Sequence, residues 1–285
     1  MSPSLPANRI VISTVLLLLC LPVLVQAAQQ TLRFGVVPQQ SAHKLAQHWL
    51  PLLDALEKHS GLKLQFETAP NIPAFEERLS QSEYDIAYMN PYHYTVFSRS
   101  PGYRAIAKAK YKRIKGILVV HKDSPIQSIQ ELNSKTLAFP APAAFAASVL
   151  IRAELSRQGI QFEPNYVQTH DSVYLTVARQ LFPAGGGVMR TYRSMPDKIA
   201  SQIRILWTTP GFTPHAIAVN PNMSPEKKNR IQQALLELDT FPEGKVALNT
   251  LNINGFDKAL NADWDDVRAL NIDMLNSSVK EQTNP

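Results

Sequence analysis

The residues most able to do chemistry lie in three stretches where an apolar strand runs into a helix. In each, polar or unpaired groups stand at the start of the helix. A helix N-terminus presents N–H groups with no acceptor of their own and the positive end of the peptide dipoles, so it is a natural place to hold an anion. The first stretch is Phe139-Pro140-Ala141-Pro142-Ala143-Ala144-Phe145-Ala146-Ala147-Ser148. Two prolines keep the approach extended, and Ala143, Ala144 and Phe145 then open a helix with no Asp, Asn, Ser or Thr to cap it. Its first N–H groups are free for another acceptor, either a bound oxyanion or water.

The second stretch is Tyr166-Val167-Gln168-Thr169-His170-Asp171-Ser172-Val173-Tyr174. His170 can donate to an anion in either protonation state or serve the core. Asp171 and Ser172 are capping types, and Asp171 could also orient the imidazole. The third is Tyr84-Asp85-Ile86-Ala87-Tyr88-Met89-Asn90-Pro91-Tyr92-His93-Tyr94. There Asn90 offers an amide, and Tyr88, Tyr92 and Tyr94 offer apolar wall and hydroxyl together, or core packing. Ser41, in the loop after the first strand, occupies the corresponding place and could donate a hydroxyl. Gly185-Gly186-Gly187 lacks the Gly-Lys-Ser/Thr ending of a nucleotide loop and leads into a strand, so it reads as close backbone packing at a hinge or ligand.

The elements that must carry these residues alternate. Strands are expected over 32–37, 62–66 and 84–89, with helices over 42–59 and 73–80 between them; Leu45, Trp49, Leu52, Leu53 and Leu56 recur at helical spacing and Gly61 closes the first helix. A second series has strands at 116–121, 136–139, 166–168 and 187–189, and helices at 126–132, 143–158 and 172–180. Strands at 203–207 and 215–219 follow, then helices, the clearest capped by Ser224 with Pro225 at its first position. This predicts an α/β chain of two lobes, each a mainly parallel sheet flanked by helices, with a cleft where the carboxyl ends of the strands meet. The expected division is residues 28–115 with 208–285 in lobe 1 and 116–207 in lobe 2.

The ends and the composition set the setting. Arg9 precedes an apolar run over 10–25, and Val25-Gln26-Ala27 offers a cleavage site before Ala28, so residues 1–27 are expected to be a signal peptide that sends the chain to the periplasm. Cys20, the single cysteine, lies inside that leader. A mature chain without thiols excludes disulfides, thiolate metal sites and cysteine catalysis. The formal net charge of +6 is dispersed apart from Lys108, Lys110, Lys112, Arg113 and Lys115, read as a solvated strand edge or connection. Nucleic acid is not an expected partner, because no basic face with interleaved aromatics and no recognisable module is present.

Taken together, Phe34-Gly35-Val36-Val37-Pro38, the 84–91 and 139–145 stretches and Thr169-His170-Asp171-Ser172-Val173-Tyr174 resemble the phosphonate/phosphite/phosphate-binding proteins of ABC transporters. The resemblance covers nearly the whole mature chain. It implies a type II periplasmic binding fold, a cleft that closes on its ligand, an inner-membrane permease as partner and no catalysis. In that family a Ser/Thr-rich turn and a histidine grip the anion. The turn falls here on Ala144, Phe145 and Ala146 and the histidine on His170, so only the backbone part of the turn's grip carries over. A carboxylate that would meet an aminoalkyl group falls at Pro183 or a neighbouring glycine, which argues against an aminophosphonate; Asp171 is a candidate surviving carboxylate.

The expected function is therefore capture of a small phosphonate-, phosphite- or phosphate-like oxyanion by a monomer that needs no cofactor or metal. A sensing module feeding a membrane histidine kinase is the alternative. A periplasmic hydrolase is disfavoured: the consecutive residues 169–172 cannot face one another as nucleophile, base and orienter, and neither Gly-x-Ser-x-Gly nor His-Glu-x-x-His occurs.

Overall fold

The computed structural model describes residues 31–272, together with Met1; the leader expected over 1–27 lies outside that range except for Met1. The chain opens with β1 (Leu32–Val36), α1 (Ala42–Ser60), β2 (Leu64–Glu67), α2 (Ile72–Ser80), β3 (Ile86–Met89), α3 (Pro91–Phe97) and β4 (Arg104–Ala109). It crosses to β5 (Gly116–His121), β6 (Lys135–Phe139), α4 (Leu150–Arg157), β7 (Phe162–Tyr166), α5 (His170–Ala178), β8 (Ala184–Val188), α6 (Met189–Arg193), α7 (Asp197–Ala200) and β9 (Ile203–Thr208). A return crossing leads to β10 (Ala216–Val219), α8 (Pro225–Glu237), α9 (Pro242–Thr250), β11 (Phe256–Lys258) and α10 (Asp265–Arg268).

Two sheets result, ordered β11-β4-β10-β3-β1-β2 and β7-β6-β8-β5-β9. In the first, β1 to β4 all point one way, while β10 is inserted antiparallel between β3 and β4 and β11 runs antiparallel at the edge. In the second, only β5 opposes its neighbours. The expected parallel character holds for most strands. The reversed inner strands, β5 and β10, are those entered directly from a crossing, each of which delivers the chain to the far end of the new sheet. The crossings touch through paired backbone bonds between Ile114 and Phe212, at 2.8 and 2.9 Å.

Local chemistry explains most elements. Helix α1 starts on the Ser41 hydroxyl, buries Leu45, Trp49, Leu52, Leu53 and Leu56, and ends at Gly61, whose φ of 63° is left-handed. Several expected boundaries shift. Thr169 caps α5, accepting from Ser172 N at 3.0 Å, so the helix begins at His170 rather than 172. The helix expected at 126–132 shrinks to one 3-10 turn, Ile129–Leu132. The strand expected at 166–168 is β7, which tolerates Pro164 because it is an edge strand. Strands β4 and β11 were not anticipated; alanine and exposed basic residues in β4 and a length of three residues in β11 hide their alternation.

The glycines of β8 lie within the strand and serve packing. A Cβ on Gly185 would stand 2.4 Å from Val173, one on Gly186 1.9 Å from the Ala147 carbonyl, and one on Gly187 2.2 Å from the Tyr174 hydroxyl. The basic run also resolves: Lys108, Lys110 and Arg113 pair with Asp263, Asp239 and Asp266 at 2.8, 2.6 and 2.9 Å.

Candidate functional site

The turn at 139–149 forms the floor of the site. Ala144 stands at the N-cap position with no side-chain cap, and Phe145–Val149 form a π-helical turn that runs into α4. The Ala144 N–H is already engaged by the Ala141 carbonyl at 3.3 Å, so the donors of this turn left without an acceptor among the described residues are those of Phe145, Ala146 and Ala147. Phe145 is buried and meets Phe212 edge-on at 5.7 Å. The turn's first hydroxyl is Ser148, wholly buried.

Residues of the first sheet close over this floor. Asn90 caps α3 through its Oδ1, and its Nδ2 donates to the Ala143 carbonyl at 3.2 Å. The His170 N–H donates to the Gln39 carbonyl at 3.1 Å. Gln40 reaches Ser194 Oγ at 2.9 Å, and Lys44 reaches the Ser194 carbonyl at 2.8 Å and Asp171 at 3.6 Å. Arg190, just past β8, donates to Gln39 Oε1, and Gln39 Nε2 lies 3.1 Å from His215 Nε2. The two sheets are thus in contact around an enclosed space of about 10 Å³ lined by Gln39, Asn90, Ala144, Phe145, Ala146, His170 and His215 among others.

Electrostatics there are set by burial and one cation. Burial, aided by Arg190, pushes the His170 imidazole down to about 3. The same two causes, with His93 and His170 adding, hold His215 well below its ordinary value. Both rings are neutral at pH 7. His215 stacks on Tyr88 at 4.8 Å, and burial pushes the Tyr88 phenol up. Arg190 has no carboxylate partner among the described residues. His170 Nδ1 lies 3.3 Å from Thr191 Oγ1, which lies 2.9 Å from the Tyr174 hydroxyl. Tyr174 and Thr191 both donate to the Val188 carbonyl, at 3.0 and 3.1 Å, and the ring nitrogen of His170 that carries the proton is set by whether the Thr191 hydroxyl keeps that acceptor or turns to Nδ1.

The comparison with known proteins settles the class. A family model described as ABC transporter, phosphonate, periplasmic substrate-binding protein matches residues 34–264. The chain belongs to this family. It is 23% identical over 251 residues to the phosphonates-binding periplasmic protein of Escherichia coli K12, covering 81% of this chain and 72% of that one. It is 20% identical over 235 residues to the phosphate-import protein PhnD of Mycolicibacterium smegmatis, covering 71% and 70%. The fold matches PhnD1 of Prochlorococcus marinus in complex with methylphosphonate at a TM-score of 0.78, with 18% identity over 86% of this chain and 99% of that one. The type II periplasmic binding fold expected from the resemblance is therefore the one present.

Of the residues singled out in the sequence, Asn90, Ala143, Ala144, Phe145 and His170 meet at the site, and Tyr88 stands beside it. Ser41 is exposed and spends its hydroxyl capping α1. Ser172 bonds its own cap, Thr169, at 2.8 Å, and Asp171 faces Lys44 at the rim. Tyr92 is buried in α3, and Tyr94 lies behind the site, bonding Asn261 at 3.0 Å and packing on Trp264. Gln39, Arg190 and His215 were missed. Gln39 and Arg190 follow β1 and β8 and obey the same carboxyl-end rule as the others; His215 precedes an antiparallel strand, so it reaches the cleft from the opposite chain direction.

Proposed function

We propose that this member of the family captures a small oxyanion of phosphonate, phosphite or phosphate type between two lobes, residues 28–115 with 208–285 and residues 116–207, that part and close about the crossings. The observation that carries this reading is Arg190: a cation without a carboxylate among the described residues, bonded to Gln39, which lines the enclosed space together with the neutral, buried His170 and His215. Free N–H groups at Phe145, Ala146 and Ala147, the His170 imidazole and the Arg190 fork supply donors from fixed positions, which solvate an anion without reorganising. In family members a Ser/Thr-rich turn grips the anion; here a guanidinium takes over that share. The closed space of about 10 Å³ is too small for a tetrahedral oxyanion, so binding requires the lobes to open and re-close around it.

The relatives' names, phosphonate binding in one and phosphate import in the other, support the ligand class. The same reading takes residues 1–27 as a cleavable leader, the mature chain as a monomer that performs no catalysis, and an inner-membrane permease as its partner. Among the described residues no group of three or more His, Cys, Asp or Glu is placed to hold a metal ion. Calorimetric titration with phosphate, phosphite, methylphosphonate and sulfate tests the proposal. Saturable binding of one of the phosphorus oxyanions is expected, and the absence of heat and of thermal stabilisation with all four overturns it.

A further inference from the structure

Beside the oxyanion site, and sharing Ile114, Val188 and His215 with it, lies a second cavity of about 240 Å³ at the two crossings. Five cations line it, Lys112, Arg113, Lys115, Arg190 and Arg193, and no carboxylate does. Arg113 is answered by Asp266 at 2.9 Å. The other four have no carboxylate partner among the described residues, whereas Lys108 and Lys110, from the same basic run, are paired with Asp263 and Asp239. The run thus divides: its start is neutralised along β4, and its end leaves unanswered charge around a cavity. Tyr88, Met189, Pro214 and Ile253 add apolar wall.

Several like charges around one partly enclosed space repel one another, and an anion placed among them relieves that repulsion. The volume holds about eight waters at about 30 Å³ each, far more room than a bare oxyanion at Arg190 would use. We propose that this chamber is the second half of the ligand site. The ligand it fits is an organic phosphonate or phosphate ester whose substituent ends in a second anionic group. The phosphorus oxyanion lies at Arg190 and the second anion among Lys112 and Lys115, while the linking carbons lie along Ile253 and Pro214. This inference rests on the oxyanion reading above, which it extends from the ligand's phosphorus oxyanion to the rest of its body.

Three phosphonates separate the two ideas by calorimetry at fixed salt: methylphosphonate, propylphosphonate and 3-phosphonopropionate. The intact protein should bind 3-phosphonopropionate about tenfold more tightly than propylphosphonate, from which it differs by the terminal carboxylate. The double variant Lys112→Ala/Lys115→Ala should bring the affinities for 3-phosphonopropionate and propylphosphonate within about threefold of each other, because it removes the two cations assigned to the terminal carboxylate. Charge reversal at both, Lys112→Glu/Lys115→Glu, should turn the preference toward propylphosphonate. Equal affinities for the two longer ligands in the intact protein, or a preference that survives in the alanine pair, overturns the chamber while leaving the oxyanion site standing. No binding of any of the three, or of phosphate, by the intact protein overturns both.

Discussion

Replacing Arg190 by alanine removes the cation that reaches the enclosed site through Gln39. The magnitude follows from its surroundings. At about 4 Å and an effective dielectric near 20, a unit charge pair is worth about 4 kcal/mol, and a hydrogen bond to a charged group about 1.5–3 kcal/mol. These overlap because the same fork makes both, so the net loss is about 2–4 kcal/mol, or about thirtyfold to a thousandfold in Kd. One compensation has to be kept out of the measurement. Arg190 helps depress both His170 and His215, so its removal lets their pKa values rise, and a protonated imidazole could stand in for the lost charge. At pH 8, above the ordinary histidine value of about 6.5, both rings stay neutral in either protein. Calorimetry at pH 8 with methylphosphonate and phosphate, at two salt concentrations, then isolates the guanidinium. Arg190→Lys keeps the charge without the fork and should fall between the two. An Arg190→Ala protein that melts normally and binds within about threefold of the parent refutes the assignment of the anion to this residue.

Three further outcomes follow from the same geometry. His170→Ala should weaken oxyanion binding about ten- to 150-fold with the fold intact, since it deletes one donor to a charged group worth about 1.5–3 kcal/mol; unchanged affinity would assign the ring to the Thr191 and Tyr174 network alone. Because His170 and His215 are buried neutral, the unfolded chain takes up protons below about pH 6.5 that the folded chain refuses, so stability is retained above that value and falls as the pH drops toward 4. The slope is about 1.4 kcal/mol per pH unit for each histidine, measurable by urea unfolding between pH 8 and 4, and a flat profile would contradict their burial. Gly186→Ala should lower the thermal midpoint by about 3–10 °C, because its Cβ would meet the Ala147 carbonyl at 1.9 Å and Phe139 at 2.8 Å, and backbone must move by a cost of about 1–3 kcal/mol. A midpoint within 1 °C of the parent would show that the strand accommodates the methyl freely.

Which parts of the fold were legible depends on whether the determining chemistry is local. Helix α1 was readable because its apolar stripe and its left-handed glycine lie in one continuous stretch, while Ser41 was read as a ligand donor although its hydroxyl is the cap. The start of α5 was misplaced by two residues because Thr169, Asp171 and Ser172 are all capping types, and only the burial of His170 against the Gln39 carbonyl decides among them. Strand β4 was hidden because Arg104 and Lys108 face outward from a sheet that supplies its hydrophobic partners from β10, more than a hundred residues away in sequence.

The site divides in the same manner. Asn90, Ala144, Phe145 and His170 were singled out because each follows a strand and opens a helix, a pattern visible in sequence, and they line the candidate site. Arg190 follows the same rule, but the glycine run before it drew attention to backbone freedom rather than to the side chain delivered at its end. His215 obeys the opposite rule. The return crossing feeds β10 into the first sheet antiparallel, so the residue before that strand, not the one after it, faces the cleft. Sequence periodicity identifies a strand without its direction, and direction depends on which end of the sheet the crossing reaches. A two-crossing fold therefore hides from the strand-end rule those cavity-lining groups carried on the returning chain. Here the hidden group is His215, which stands in the wall between the small oxyanion site and the basic chamber.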